Sequence, residues 1–306
     1  MPDYQICGWH IRSAIPLPEA APWENDARDV DVEIRLGTTA GGLREPVADH
    51  PEGAIGADGG VLFTAPGVGR YLIRDGREVV IEPSGGADAA NLRTFLYGTV
   101  LGVLCHQRGL LPLHAGAVAI GDRAIIVAGD SGAGKSSLTA ALVRQGARLL
   151  AEDLCPLRLA DAAASGKARV LPGVPRFRLN RDVAEHLRLV PVAAGSARGP
   201  SKIAISCPPG ALALPSRPAA IYGIDRVRVA DNPRAERIAG IEALEVVRGA
   251  IFRWELAHAM GRSQAALRGA AALASAVPCF RLWRTRQLTG LDETAALILE
   301  RETVPC

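Results

Sequence analysis

The stretch Gly129-Asp130-Ser131-Gly132-Ala133-Gly134-Lys135-Ser136-Ser137 fits the pattern of a glycine, four residues, a glycine, a lysine and a serine. It lies between RAIIVA, which reads as a buried strand, and SLTAALVRQ, which reads as a helix. That context constrains the fold more than the pattern does. A glycine-rich turn between a strand and a helix presents successive backbone N–H groups to one concavity, and the positive end of the helix adds to them. A diphosphate or triphosphate fits such a nest. In that arrangement Lys135 reaches the β- and γ-phosphates and the Ser136 hydroxyl holds Mg²⁺.

The 306 residues are enough to bury a full core, as one large domain or as one domain with a smaller companion. A formal net charge of +3, with the basic residues scattered, argues against a nucleic-acid partner. An aromatic content of 4% argues against a stacking platform for single strands. The six cysteines, at 7, 105, 155, 207, 279 and 306, form neither a CxxC pair nor a Cys/His cluster at metal spacing. They read as reduced thiols of a cytoplasmic protein. The segment MPDYQICGWHIRSAIPLPE carries charges early and has no apolar core, so no secretory signal is expected.

Residues 1–86 read as a small β-rich unit and 87–306 as a catalytic domain of mixed α/β type, a phosphate-loop kinase core with a mixed sheet. In the first unit Asp75-Gly76 marks a hairpin turn. DAANLRTFLYGTVLGVLCHQ reads as a buried helix ending near Gly109. Its fully apolar core, Thr94 to Cys105, is about half of the ~20 residues a bilayer requires, so no membrane partner is expected.

LLPLHAGAVAI and RAIIVAG suggest a hairpin leading into the loop, with His114 in its first strand, as a core residue or a site residue. After the loop helix, ARLLAEDLCPLRL reads as strand, acidic pair, strand. A strand following a phosphate-loop helix tends to run beside the strand that entered it, which brings Glu152 and Asp153 toward the γ-phosphate. Phosphoryl transfer needs one carboxylate near the metal and another to orient or deprotonate the acceptor hydroxyl. Arg176 and Arg178 share one face if their segment is a strand, and Arg198 and Lys202 stand at the mouth of a loop. Arg176, Arg178 and Lys202 are candidate substrate or phosphate contacts. The segments from Ala239 onward, including PCFRLWRT and LDETAALILER, read as covering elements.

With these residues in view, the stretch from about Leu111 onward resembles the catalytic domain of HPr kinase/phosphorylase and related serine kinases, whose phosphate loop lies in a fold related to phosphoenolpyruvate carboxykinase. The matched pieces are LHAGAVAI, GDSGAGKSS and RLLAEDLCPL, with His114 21 positions before Lys135 and Glu152 17 after it. The resemblance implies a catalytic set of His114, Lys135, Glu152 and Asp153. Glu152 falls on the family's base, and Asp153, with Ser136, falls near the metal. Glu stands where the family has Asp, which leaves open which of the two is the base. The Glu-x-Arg-Gly-Leu-Gly signature of HPr-specific members is not found, so action on HPr and the reverse phosphorolysis are not implied. The N-terminal unit resembles, in layout, the leader of kinases that phosphorylate the C-terminal serine of lasso-peptide precursors.

The expected activity is therefore transfer of a phosphoryl group from ATP, with Mg²⁺, to a serine-type hydroxyl on a peptide or to a small hydroxylated metabolite. A nucleotide-dependent regulatory or binding module is the alternative, since it needs the loop but no carboxylate placed for an acceptor. Family members with this domain assemble into rings, which leaves a homo-oligomer open.

Overall fold

Turns of positive φ fold the beginning of the chain back on itself. Cys7 (φ 56°) and Gly8 (φ 77°) join the strands Asp3–Ile6 and Trp9–Ser13, and Asp75 (φ 54°) and Gly76 (φ 64°) join Gly69–Arg74 to Glu78–Pro83. Consecutive left-handed residues give a tight turn whose twist matches that of its strands. The computed structural model describes residues 1–26, 29–50, 53–159, 167–190, 202–225, 232–285 and 287–303. The protein is mixed α/β, and its chain divides into two compact units, Met1–Pro112 with Phe252–Ala266 and Leu113–Ile251 with Leu267–Cys306.

In the first unit a nine-stranded sheet runs from Glu24–Asn25 at one edge to Pro46–His50 at the other. Val32–Leu36 joins its two halves by pairing in parallel with Trp9–Ser13 and with Glu78–Pro83. The expected buried helix is present as Ala89–Phe95, a π-helical turn at Leu96–Val100 and Leu101–Gln107. The Asp88 carboxylate caps its start by accepting from the Ala90 N–H at 3.1 Å, and Gly109 (φ 72°) follows its end. Among the described residues no helix is long and apolar enough to cross a membrane.

The second unit is built on a six-stranded mixed sheet in the order Arg148–Ala151, Gly116–Ile120, Arg123–Ala128, Arg217–Ile224, Cys279–Trp283, Arg234–Ile238. Arg123–Ala128 is apolar and buried along nearly its whole length, as suits a strand covered on both faces. It pairs in parallel with Arg217–Ile224, which pairs in parallel with Cys279–Trp283. Leu138 and Leu142 of the loop helix Lys135–Arg144 pack with Val118, Val127, Tyr222 and Ile298 in one core. The helix lies so close to the sheet that a Cβ on Gly116 would come within 1.9 Å of Thr139 Oγ1.

Three expectations are corrected here. The hairpin into the loop is present, closed by Gly121 (φ 61°), but Arg148–Ala151 does not lie beside the loop strand. It pairs with Gly116–Ile120, because the hairpin's own first strand already occupies that flank. Two successive antiparallel pairings leave it parallel to Arg123–Ala128, so its C-terminal end still reaches the loop's side of the sheet. His114 falls in the break between Leu111–Leu113 and Gly116–Ile120, not inside a strand. Cys279–Trp283 is an interior strand of the sheet, not a covering element.

A buried polar network fixes the last helix, Thr289–Thr303, to this sheet. Glu302, 6% exposed, accepts from Tyr222 Oη at 2.7 Å through Oε1 and from Arg123 Nη2 at 2.8 Å through Oε2. Tyr222→Phe removes one donor and leaves the buried carboxylate short of a partner. The expected cost is about 1–3 kcal/mol, read as a lower denaturant midpoint. An unchanged midpoint would show that the bond contributes nothing to stability.

Candidate phosphate site and its carboxylate pair

The loop joins Arg123–Ala128 to Lys135–Arg144 through left-handed glycines, among them Gly132 (φ 79°) and Gly134 (φ 95°). At Gly134 the backbone favours glycine, and a Cβ there would lie 2.0 Å from Arg284 Nη2 and displace the guanidinium from its present place. Lys135 opens the helix and turns its ammonium back onto the loop, donating to Gly129 O at 2.7 Å and Asp130 O at 3.0 Å. Burial lowers the Lys135 pKa from its ordinary value, while the charges of Asp153, Glu152 and Asp130 oppose that effect. Ser131, Gly132, Gly134, Lys135, Ser136 and Ser137 line a cleft of about 340 Å³. Gly129, Asp130 and Ala133 build the loop from outside that lining.

Glu152 and Asp153 follow the end of Arg148–Ala151. Adjacent side chains in a strand point to opposite faces, yet both of these line the same cleft. The cause is a tight turn: Asp153 has φ 67°, and Leu154 N–H donates to Glu152 O at 2.8 Å. Aspartate tolerates this left-handed backbone better than most side chains do.

The two carboxylates then take different partners. Glu152 Oε1 accepts from the Ser136 hydroxyl. His114 Nδ1 lies 3.1 Å from Asp153 O and 3.2 Å from Asp153 Oδ1. Burial, and secondarily the charge of Asp153, pushes the Glu152 carboxyl up to about 7, against the pull of the Ser136 bond, Arg176 and Lys202. Burial also works to raise Asp153, but the His114 hydrogen bond and the charges of His114, Arg178 and Arg176 outweigh it and hold that carboxyl below its usual value.

The Glu152 shift has a consequence for stability. Its pKa rises from 4.5 in the unfolded chain to about 7 in the folded one, so the folded state binds the extra proton between these values. The stability it contributes is complete below about pH 4.5 and is lost as pH rises through about 7. Glu152→Gln is therefore expected to gain in melting temperature relative to the parent chain as pH increases across that window. Parallel curves for the two proteins would contradict the shift.

Arg178 and Lys202 line the cleft as well. They come from the antiparallel strands Arg176–Asn180 and Lys202–Ser206, in which Asn180 stands opposite Lys202 and Arg178 opposite Ala204. Arg176 is buried and outside the lining, though its charge lowers both carboxyl groups. Arg198 lies outside the described residues. The structure thus brings His114, Lys135, Ser136, Glu152, Asp153, Arg178 and Lys202 to one cleft and leaves Arg176 outside its lining.

Sequence reading missed Arg284. It follows Cys279–Trp283, lines the cleft, and donates from Nη2 to Ala133 O at 2.8 Å. No local pattern marks it, because its partner stands roughly 150 positions earlier in the chain.

The Ser136 hydroxyl and the Glu152 carboxylate are hard oxygen donors of the kind Mg²⁺ prefers. Among the described residues no group of three or more His, Cys, Asp or Glu is placed to hold a metal ion. A sparse protein ligand set fits Mg²⁺, which keeps most of its water and takes further oxygens from phosphates.

Loop, helix and carboxylate pair define a mixed α/β protein with a phosphate-loop core. No protein-family model matches the chain. No curated protein matches it either. Among solved structures it is similar to the Hpr(Ser) kinase/phosphatase from Coxiella burnetii, with 15% identity, coverage of 62% of this chain and 91% of that one, and a TM-score of 0.31. Likeness at that level does not establish a family.

Proposed function

We propose that this protein is an ATP-dependent kinase that transfers the γ-phosphoryl group to a serine-type hydroxyl on a peptide, such as the C-terminal serine of a lasso-peptide precursor. The observation that carries this reading is the hydrogen bond from the loop's Ser136 to Glu152, with a second carboxylate, Asp153, beside it in the same cleft. A module that only binds nucleotide needs the loop and has no need of two differently partnered carboxylates.

In this reading the loop N–H groups and Lys135 hold the triphosphate. Ser136 and Glu152 hold Mg²⁺, which when bound neutralises charge on the phosphates. Asp153, held by His114, faces the acceptor. Its carboxylate takes the hydroxyl proton as the new O–P bond forms and the bond from the γ-phosphorus to the departing ADP oxygen breaks. Arg178 and Lys202 offset negative charge at the acceptor side. This assignment exchanges the two carboxylates relative to the roles that the resemblance implies, and the partners of each in the cleft support the exchange.

The test is incubation with γ-labelled ATP, Mg²⁺ and a peptide ending in serine, followed by location of the label. Label on the serine oxygen is the expected result. Nucleotide binding without transfer to any peptide or small hydroxylated acceptor would instead favour the regulatory module.

A further inference from the structure

Arg284 reaches the loop from the far end of the sheet's interior strand, and its contacts have a stereochemical consequence. Its Nη2 donates to Ala133 O at 2.8 Å, and its Nη1 to Thr285 O at 3.3 Å. The described chain has no cis peptide bond, so the Ala133–Gly134 peptide is trans. In a planar trans peptide the carbonyl and the N–H point in opposite directions. Fixing the Ala133 carbonyl on the guanidinium therefore fixes the Gly134 N–H in the opposite direction within that plane, away from the guanidinium.

Lys135 does the same at the loop's entry. It holds the carbonyls of Gly129 and Asp130, which sets the N–H groups of Asp130 and Ser131. Between the two clamps, Ala133 N–H donates to Asp130 O at 3.1 Å and closes the turn. One limb of the loop is thus gripped by a cation from its own helix and the other by a cation from a distant strand. The guanidinium gets this close only because residue 134 has no side chain: a Cβ there would lie 2.0 Å from Nη2 and 2.9 Å from Cζ.

We infer that Arg284 is a positioning residue of the phosphate site, which aims the Gly134 N–H into the anion cradle and so sets the affinity for a nucleoside diphosphate or triphosphate. The inference rests on the proposed nucleotide-binding role of the loop and does not depend on transfer to an acceptor. It assigns the last interior strand a part in nucleotide binding and makes Gly134 and Arg284 a matched pair.

The experiment is calorimetric titration of the full chain with Mg·ADP, comparing the parent protein with Arg284→Gln, Arg284→Lys and Arg284→Ala. Arg284→Gln is expected to bind about ten- to a hundredfold more weakly, the loss appropriate to a charge-assisted bond that organises the site. The melting temperature of its ligand-free form should stay close to that of the parent. Arg284→Lys keeps the charge without the planar fork and should recover part of the affinity. Added guanidinium ion should restore binding in Arg284→Ala, a rescue that a merely structural role would not give. Parent-like Mg·ADP affinity in Arg284→Gln overturns the inference, as does a lowered melting temperature with unchanged affinity. If Arg284→Gln fails to fold, parent-like affinity in Arg284→Lys overturns the argument from the fork. A parent protein that binds Mg·ADP but phosphorylates no acceptor sinks the kinase reading and leaves Arg284 in its role; one that does not bind Mg·ADP sinks both.

Discussion

Lys135→Ala is expected to lower phosphoryl transfer by about a thousandfold while leaving the protein folded. Two losses combine in this variant. The ammonium no longer meets the charge that develops on the transferring group, and Gly129 O and Asp130 O lose the donor that holds the first limb of the loop. The fold should survive, because a buried ammonium is a strained guest: Lys135 is 7% exposed, and burial already lowers its pKa. Removing it relieves desolvation, and of the two carbonyls it leaves, Asp130 O keeps the hydrogen bond from Ala133 N–H. Lys135→Arg is not a conservative replacement, since a planar fork cannot reproduce a point charge shared between two carbonyls a short way apart. Single-turnover transfer of label from ATP, run beside circular dichroism and a thermal melt, checks both halves of the prediction. Full transfer by the alanine variant would remove the loop from the chemistry.

The loop was legible in the sequence because everything that makes it a loop is local. Glycine at 132 and 134 meets a demand for positive φ, and the buried strand and the helix on either side follow from short-range patterning. The carboxylate pair was legible as a pair but not in its geometry. Its opposed partners depend on the left-handed backbone of Asp153, and aspartate does not announce such a turn as glycine does.

The misplaced strand follows from which two neighbours the loop strand takes. A hairpin that puts Gly116–Ile120 on one flank of the loop strand, with Arg217–Ile224 taking the other, leaves no room there for Arg148–Ala151. Long-range pairing decides such cases, and hydrophobic patterning says nothing about which neighbour a strand will choose. Arg284 is the extreme instance: an arginine at the end of a strand, in a segment read as cover, whose importance comes only from where the sheet delivers it.

The second large effect separates the two carboxylates. Asp153→Asn is expected to slow transfer by about 10²–10⁴-fold, the range for loss of a positioned base, with Mg·ADP affinity close to the parent's. Glu152→Gln should instead raise the Mg²⁺ concentration needed for half-maximal rate, because it removes a charged oxygen beside the Ser136 hydroxyl. The pH dependence gives an independent reading. Burial and the Asp153 charge push Glu152 up to about 7, so below that value protons and Mg²⁺ compete for the same carboxylate. Transfer should fall as pH drops through about 7 at low Mg²⁺, and saturating Mg²⁺ should move that fall to lower pH. Asp153, held below its usual value with His114 at its side, stays ionised throughout this range and adds no limb there. If the fall stays near pH 7 at every Mg²⁺ concentration, the group being protonated is the base itself. Glu152 would then be the group that receives the acceptor's proton, and Asp153 the one left to the metal.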